Sequence, residues 1–220
     1  MKTFKDFLLE QSQAVKGDWI GDPKNPTLHL DTTGERAFNK KFKLEVEDFA
    51  TIKGISLSLY KHKTEPNFRV GYWKEIKEAI KGDFEIVNKF VTVVYLDADR
   101  NKDIQRKINK KFAMNIKMVF VDDSFRNNAL ARVLYNYIIH VKGYAIIGDK
   151  KQYFGARKLW SRLSKANDVI VDIINIKTGE ILYHDVVLHQ GHYDEDFDKR
   201  LWSYGEDKIN IRSVLKTITK

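Results

Sequence analysis

Two hydrophobic periods alternate along this chain, and together they point to a mixed α/β fold. Phe42, Leu44 and Val46 alternate with Lys43, Glu45 and Glu47, the two-residue period of a half-buried strand. Ile55, Leu57 and Leu59 alternate with Ser56, Ser58 and Tyr60 in the same way. Phe90 to Leu96 and Ile116 to Val121 are β-branched and aromatic runs that read as strands. Against these stand helical periods. Trp73, Ile76 and Ile80 predict a helix over 72–81, and Ile104, Ile108 and Phe112 an exposed one over 101–112. Leu130, Val133, Leu134, Tyr137, Ile138 and Val141 give a wide apolar helix face, which Gly143 can terminate. A short strand at 144–147, a helix at 155–163 and strands at 169–176 and 180–188 follow. Lys177-Thr178-Gly179 joins the last two as a hairpin turn. Residues 190–207 read as an acidic loop and 209–218 as a closing strand. The element order predicts a mixed sheet with helices on both faces.

Residues 1–34 read as a separate N-terminal arm. Thr3 can cap a short amphipathic helix over 3–15, with Phe4, Phe7, Leu8 and Gln11 on one face. The linker after it, Gly17 to Gly34, carries Pro23 and Pro26 and opposes regular structure. Residues 35–220 then form one α/β domain. The arm is a surface helix of the domain itself or a docking element for a protein partner.

The chain has no cysteine. This excludes a disulfide scaffold, a thiolate metal site and a cysteine nucleophile, and it fits a reducing compartment. No apolar run approaches the ~20 residues of a membrane helix, and Asp6 and Glu10 interrupt the apolar N-terminus, so neither a membrane span nor a secretory leader is expected. Basic residues outnumber acidic ones by 39 to 30, a net charge of +9. That excess favours acidic partners such as phosphorylated cofactors or nucleic acid. The segment Arg100 to Lys117 carries seven Lys or Arg side chains, with Phe112 available for stacking. A solvated helix face and a phosphate-gripping face are both consistent with it.

The most informative stretch begins at the strand Met118-Val119-Phe120-Val121. It ends in Asp122-Asp123-Ser124-Phe125, and Arg126-Asn127-Asn128-Ala129-Leu130-Ala131 opens a helix. A helix start leaves backbone N–H groups free and favours anions, and small residues there let a pyrophosphate approach. Arg126 can add a charge-assisted contact. Asp122 and Asp123, or Tyr95 at the end of the neighbouring strand, are candidate proton-transfer groups, and Tyr153 precedes the later helix. His184, His189 and His192 lie among Asp185, Asp194, Glu195 and Asp196, but their spacing matches no familiar metal loop, so no metal site is expected.

These residues resemble the GNAT family of N-acetyltransferases. Its core motif has Arg or Gln, two variable residues, Gly, one residue, then Gly or Ala. Here Arg126, Ala129 and Ala131 take those places. Gly143-Tyr144-Ala145-Ile146-Ile147 resembles the strand that follows, and Ala156-Arg157-Lys158-Leu159-Trp160 the next helix. The form is most similar to divergent acetyltransferase-like proteins of tailed bacteriophages. The resemblance implies a mostly antiparallel GNAT-like sheet that binds acetyl-CoA through Val121, Arg126, Asn127, Asn128, Ala129, Leu130 and Ala131. It implies acyl transfer to an amine, in a bacterial host cytoplasm or a virion. The chain departs from the family at two places. Ala129 stands for a glycine. Trp160 stands for the tyrosine that often protonates the departing thiolate, and an indole N–H cannot do that. Three readings therefore stay open: an N-acyltransferase, a non-catalytic virion or host-binding protein on the same fold, and a nucleic-acid binder.

Overall fold

The computed structural model describes residues 34–80, 83–108, 112–126, 128–149, 154–188 and 210–217. Helix α1 (Glu35–Lys41) leads into β1 (Phe42–Ile52), β2 (Ile55–His62), β3 (Phe68–Ile80) and β4 (Asp83–Arg100). Helix α2 (Lys102–Lys107), β5 (Ala113–Val121) and α3 (Leu130–Asn136) follow, and α3 continues as a π-helical turn, Tyr137–Val141. Then come β6 (Ala145–Ile147), α4 (Phe154–Leu163), β7 (Val169–Asn175), β8 (Ile181–Tyr183) and β9 (Ile211–Thr217). The nine strands take the order β1-β2-β3-β4-β5-β6-β9-β7-β8. Strands β5 and β6 pair in parallel, while β1–β2, β2–β3, β3–β4, β6–β9, β7–β9 and β7–β8 are antiparallel. The mixed sheet expected from the sequence is present. The expected helices on both faces are not evident among the described residues, because the helices are few and one of those expected is a strand.

That strand is β3. Trp73, Ile76 and Ile80 fit a helical spacing, yet Phe68 to Ile80 pairs with β4 from Phe68↔Leu96 to Ile80↔Asp83. Ile76 and Ile80 are four residues apart, a spacing that keeps two side chains on one face of either element. The cross-strand partners decide the outcome. Ile76 faces Val87, and Trp73 faces Phe90 and donates its indole N–H to the Tyr60 hydroxyl at 2.8 Å. The helical arm over 3–15 and the acidic loop over 190–207 lie outside the described residues. So do His189, His192, Asp194, Glu195 and Asp196.

The chain divides into two compact units. One contains the described residues within 34–99 and 117–131. Its aromatic core joins Phe38 of α1 to Phe42, Tyr60, Phe90 and Trp73. Phe38 stacks on Phe90 at 4.2 Å and on Phe42 at 4.8 Å, and Tyr60 meets Phe90 edge-on at 4.9 Å. Each such pair adds about 1 kcal/mol beyond its buried area. Glu35 in the first turn and Lys40 and Lys41 in the last complement the dipole of α1. β2 pairs with β3 only from Phe68 to Gly71. The remainder of β3 pairs with β4, where Lys89 also bridges Gly34, and Phe84 and Ile86 on this ribbon are 69% and 73% exposed.

The other unit contains the described residues within 100–116 and 132–217. Ala113, Met114 and Asn115 pair in parallel with Ala145, Ile146 and Ile147. Ile104, Ala113, Ala145, Ile147, Ile174 and Val214 make one buried cluster. Leu134, Ile138, Ile139, Trp160 and Leu163 are also buried, and Trp160 meets Tyr135 edge-on at 6.4 Å. Gly143 ends the helix with φ +66, as its position predicts. The hairpin turn after β7 forms as expected, with Gly179 at φ +77 and its N–H donating to the Asn175 carbonyl at 2.6 Å. β8 is shorter than the expected 180–188.

Gly71 marks a close approach. The β3–β4 register slips between Val70 and Gly71. A Cβ there would lie 2.0 Å from the Val91 carbonyl oxygen and 2.7 Å from a ring carbon of Phe90. Backbone cannot yield as a flexible side chain does. Gly71→Ala is expected to destabilise the protein by about 3 kcal/mol in urea denaturation. A loss under about 0.5 kcal/mol, the range of neutral surface changes, would show that the approach is looser than described.

Candidate functional site

The turn after β5 is built by its own side chains. The Asp122 N–H donates to the Val93 carbonyl at 2.8 Å, which extends the β-pairing one residue past Val121. The Asp122 carboxylate accepts from the Ser124 N–H at 3.0 Å and from the Ser124 hydroxyl, and a 3₁₀ turn follows at Asp123–Phe125. Short Asp and Ser side chains favour such turns because they supply local acceptors and donors. Phe125 is buried and anchors the turn. Lys53 donates to the Ser124 carbonyl at 3.0 Å.

Arg126 closes the turn from inside. Its Nε donates to the Val121 carbonyl at 3.1 Å, its Nη2 lies 2.5 Å from Asp123 Oδ1, and its guanidinium sits 5.7 Å from the Phe120 ring centre. Its side chain is only 14% exposed. The sequence suggests Arg126 as a phosphate ligand, whereas in the structure its guanidinium holds the turn together. Asn128 Nδ2 donates to the Phe125 and Arg126 carbonyls at 3.1 and 3.2 Å. Four carbonyls of the turn thus receive side-chain donors. The backbone N–H groups at the start of α3 have no helical acceptor by geometry.

Ala129 stands immediately before α3 with φ +55. This is the left-handed region, which costs an L-residue about 1–2 kcal/mol and a glycine almost nothing. The position therefore demands glycine-like backbone although it holds alanine. Leu130 after it is buried and Ala131 half-buried. Asn127 and Tyr153 lie outside the described residues.

Tyr95 is on β4, and its ring stacks on Phe120 at 5.5 Å. Its hydroxyl lies 2.7 Å from Met118 Sδ, and the Arg69 guanidinium sits 5.1 Å from its ring centre. Arg69 in turn pairs with Asp97 at 2.6 Å. Burial and then the Asp97 charge push the Tyr95 phenol above its ordinary value, against a smaller lowering by Arg69. Tyr95 therefore keeps its proton at neutral pH and offers a donor, not a base. Phe120 contacts both Tyr95 and Arg126, so it links the phenol to the turn. The Asp122 and Asp123 carboxylates are engaged by Ser124 and Arg126.

Trp160 is a core residue. Four cations of the basic segment find partners close by. Arg100 lies 4.8 Å from the Phe112 ring centre, Arg106 pairs with Asp103 at 2.7 Å, Lys107 donates to the Lys177 carbonyl at 3.3 Å, and Lys117 pairs with Asp99 at 2.8 Å. Among the described residues no group of three or more His, Asp or Glu side chains is arranged to hold a metal. His184 meets Asp172 instead, a pairing the sequence reading missed. The signal for it was one carboxylate inside the apolar run Val-Ile-Val-Asp-Ile-Ile. No described helix is long and apolar enough to cross a membrane.

Ala129→Gly removes the left-handed penalty without touching any of the turn's hydrogen bonds. It is expected to stabilise the protein by about 1 kcal/mol in urea denaturation. Destabilisation by the same amount would mean that Ala129 does not hold a positive φ in solution. No protein-family model matches the chain, and neither a curated protein nor a solved structure matches it.

Proposed function

We propose that the chain is an acyl-CoA-dependent N-acyltransferase whose cofactor sits at the 121–131 turn. One observation carries this reading. The residue at the motif's glycine place, Ala129, adopts a glycine-like backbone directly before a helix that joins two parallel strands. The motif is a pattern of residue types, and the positive φ of Ala129 is a separate, backbone observation that supports the resemblance. The succession of β5, turn, α3, β6, α4 and the β7–β8 hairpin also follows the motif's element order.

Bound at this turn, acetyl-CoA would supply an acyl thioester. The N–H groups that open α3 suit its pyrophosphate, since a helix start favours anions. Arg126 contributes by fixing the turn through Val121 and Asp123. The reaction moves a proton off the acceptor amine and delivers one to the departing thiolate. Tyr95, protonated and joined to the turn through Phe120, is the proposed donor in place of the tyrosine that Trp160 displaces. The acceptor is an amine, and the protein is phage-encoded and acts in the host cytoplasm or the virion.

A second reading is a catalytically silent protein that binds a host or virion partner. The exposed Phe84 and Ile86 on the β3–β4 ribbon favour it.

Calorimetric titration with acetyl-CoA separates the two. Binding in the micromolar range is expected, weakened at least about tenfold, or about 1.4 kcal/mol, in Arg126→Ala. No detectable binding at millimolar acetyl-CoA would sink the acyltransferase reading and leave the partner-binding one.

A further inference from the structure

A wholly buried carboxylate fixes an exposed imidazole beside the β7–β8 pairing. Asp172 lies in β7 and is 0% exposed. Its Oδ1 lies 2.7 Å from His184 Nδ1 and accepts the Asp185 N–H at 3.2 Å. Its Oδ2 lies 2.5 Å from Lys216 Nζ on β9. The His184 side chain is 63% exposed. The segment beyond it is pinned as well. Asp185 takes φ +51, and the Val186 N–H donates to the Val171 carbonyl at 2.9 Å.

These contacts set the tautomer. An ionised carboxylate only accepts hydrogen bonds, so the proton of the neutral ring sits on Nδ1 and the lone pair on Nε2. The Lys216 ammonium faces the other carboxylate oxygen, and the Asp172 charge lies next to the positive charge that the ring gains when Nε2 takes a proton. A carboxylate does the same for a catalytic imidazole elsewhere. The other described histidines differ. His62 Nδ1 accepts from the Glu65 N–H at 3.1 Å, and His140 meets the exposed Asp168 through Nε2 at 3.4 Å. Of these three, His184 alone combines a buried carboxylate at Nδ1 with an exposed ring.

We propose that His184 is a general base acting through Nε2 on water that attacks an activated acyl ester. The water oxygen bonds to the carbonyl carbon while its proton passes to Nε2. The carbon–oxygen bond to the leaving alcohol then breaks, and the Nε2 proton passes to that oxygen. The ring returns to its neutral form, so no further reactant is needed. The inference stands apart from the cofactor reading. None of its residues belongs to the 121–131 turn, and its test contains no acetyl-CoA.

The full chain is assayed with p-nitrophenyl acetate. His184→Gln is expected to lower the hydrolysis rate about 100-fold. His184→Ala is expected to lose the same activity and to regain it when imidazole is added to the buffer. Nitrogen NMR of the unmodified protein is expected to show the His184 proton on Nδ1. Any of three results would overturn the proposal: an unchanged rate in His184→Gln, a loss in His184→Ala that imidazole does not restore, or a proton resident on Nε2.

Discussion

Strands β5 and β6 run parallel, and a parallel pair cannot be closed by a hairpin. The chain must leave one end of β5, travel back and re-enter beside its start. The segment between Val121 and Ala145 is the consequence. Its return path is the helix 130–141, whose apolar face includes Leu130, Leu134, Ile138 and Ile139. Its first step is the turn at 122–129, which must redirect an extended strand into a helix within a few residues. The left-handed Ala129 is where the backbone makes that change.

Such a turn leaves polar backbone exposed at its own core, and the sequence answers with side chains. Asp122 and Ser124 shape its first half, and Arg126 and Asn128 cover its carbonyls. Arg126 in the Arg126–Asp123 pair is mostly buried, while Asp123 is partly exposed. The charged group that sequence alone assigns to a ligand is thus a brace of the site. The main chain it braces opens a helix, and a helix start presents donors whatever its side chains are.

Much of this was legible in advance. The strands at 42–47, 55–60 and 116–121, the helix after Leu130 and the hairpin turn at Lys177-Thr178-Gly179 read correctly as elements, because each rests on local periodicity or turn chemistry, whereas Leu44, Val133 and Val141 of the expected apolar faces are exposed. Residues 72–80 did not. Their spacing suited two elements, and the choice rests with Val87 and Phe90, which are neighbours only in space. Helix α1 was missed because one buried residue, Phe38, cannot show a period. At the turn, the contacts of Arg126 were not legible, because they depend on Val121 and Asp123 folding back onto it. Asp172 and His184 are twelve residues apart, across a hairpin whose register sets their contact.

The central claim is that the main chain of the 121–131 turn is an anion cradle for acetyl-CoA. Amide NMR of the nitrogen-labelled protein during a titration with acetyl-CoA tests it most directly. The account predicts that the largest shifts fall on the amides of Asn128, Ala129, Leu130 and Ala131. Binding whose shifts avoid these four residues, or spectra that acetyl-CoA leaves unchanged, would contradict it.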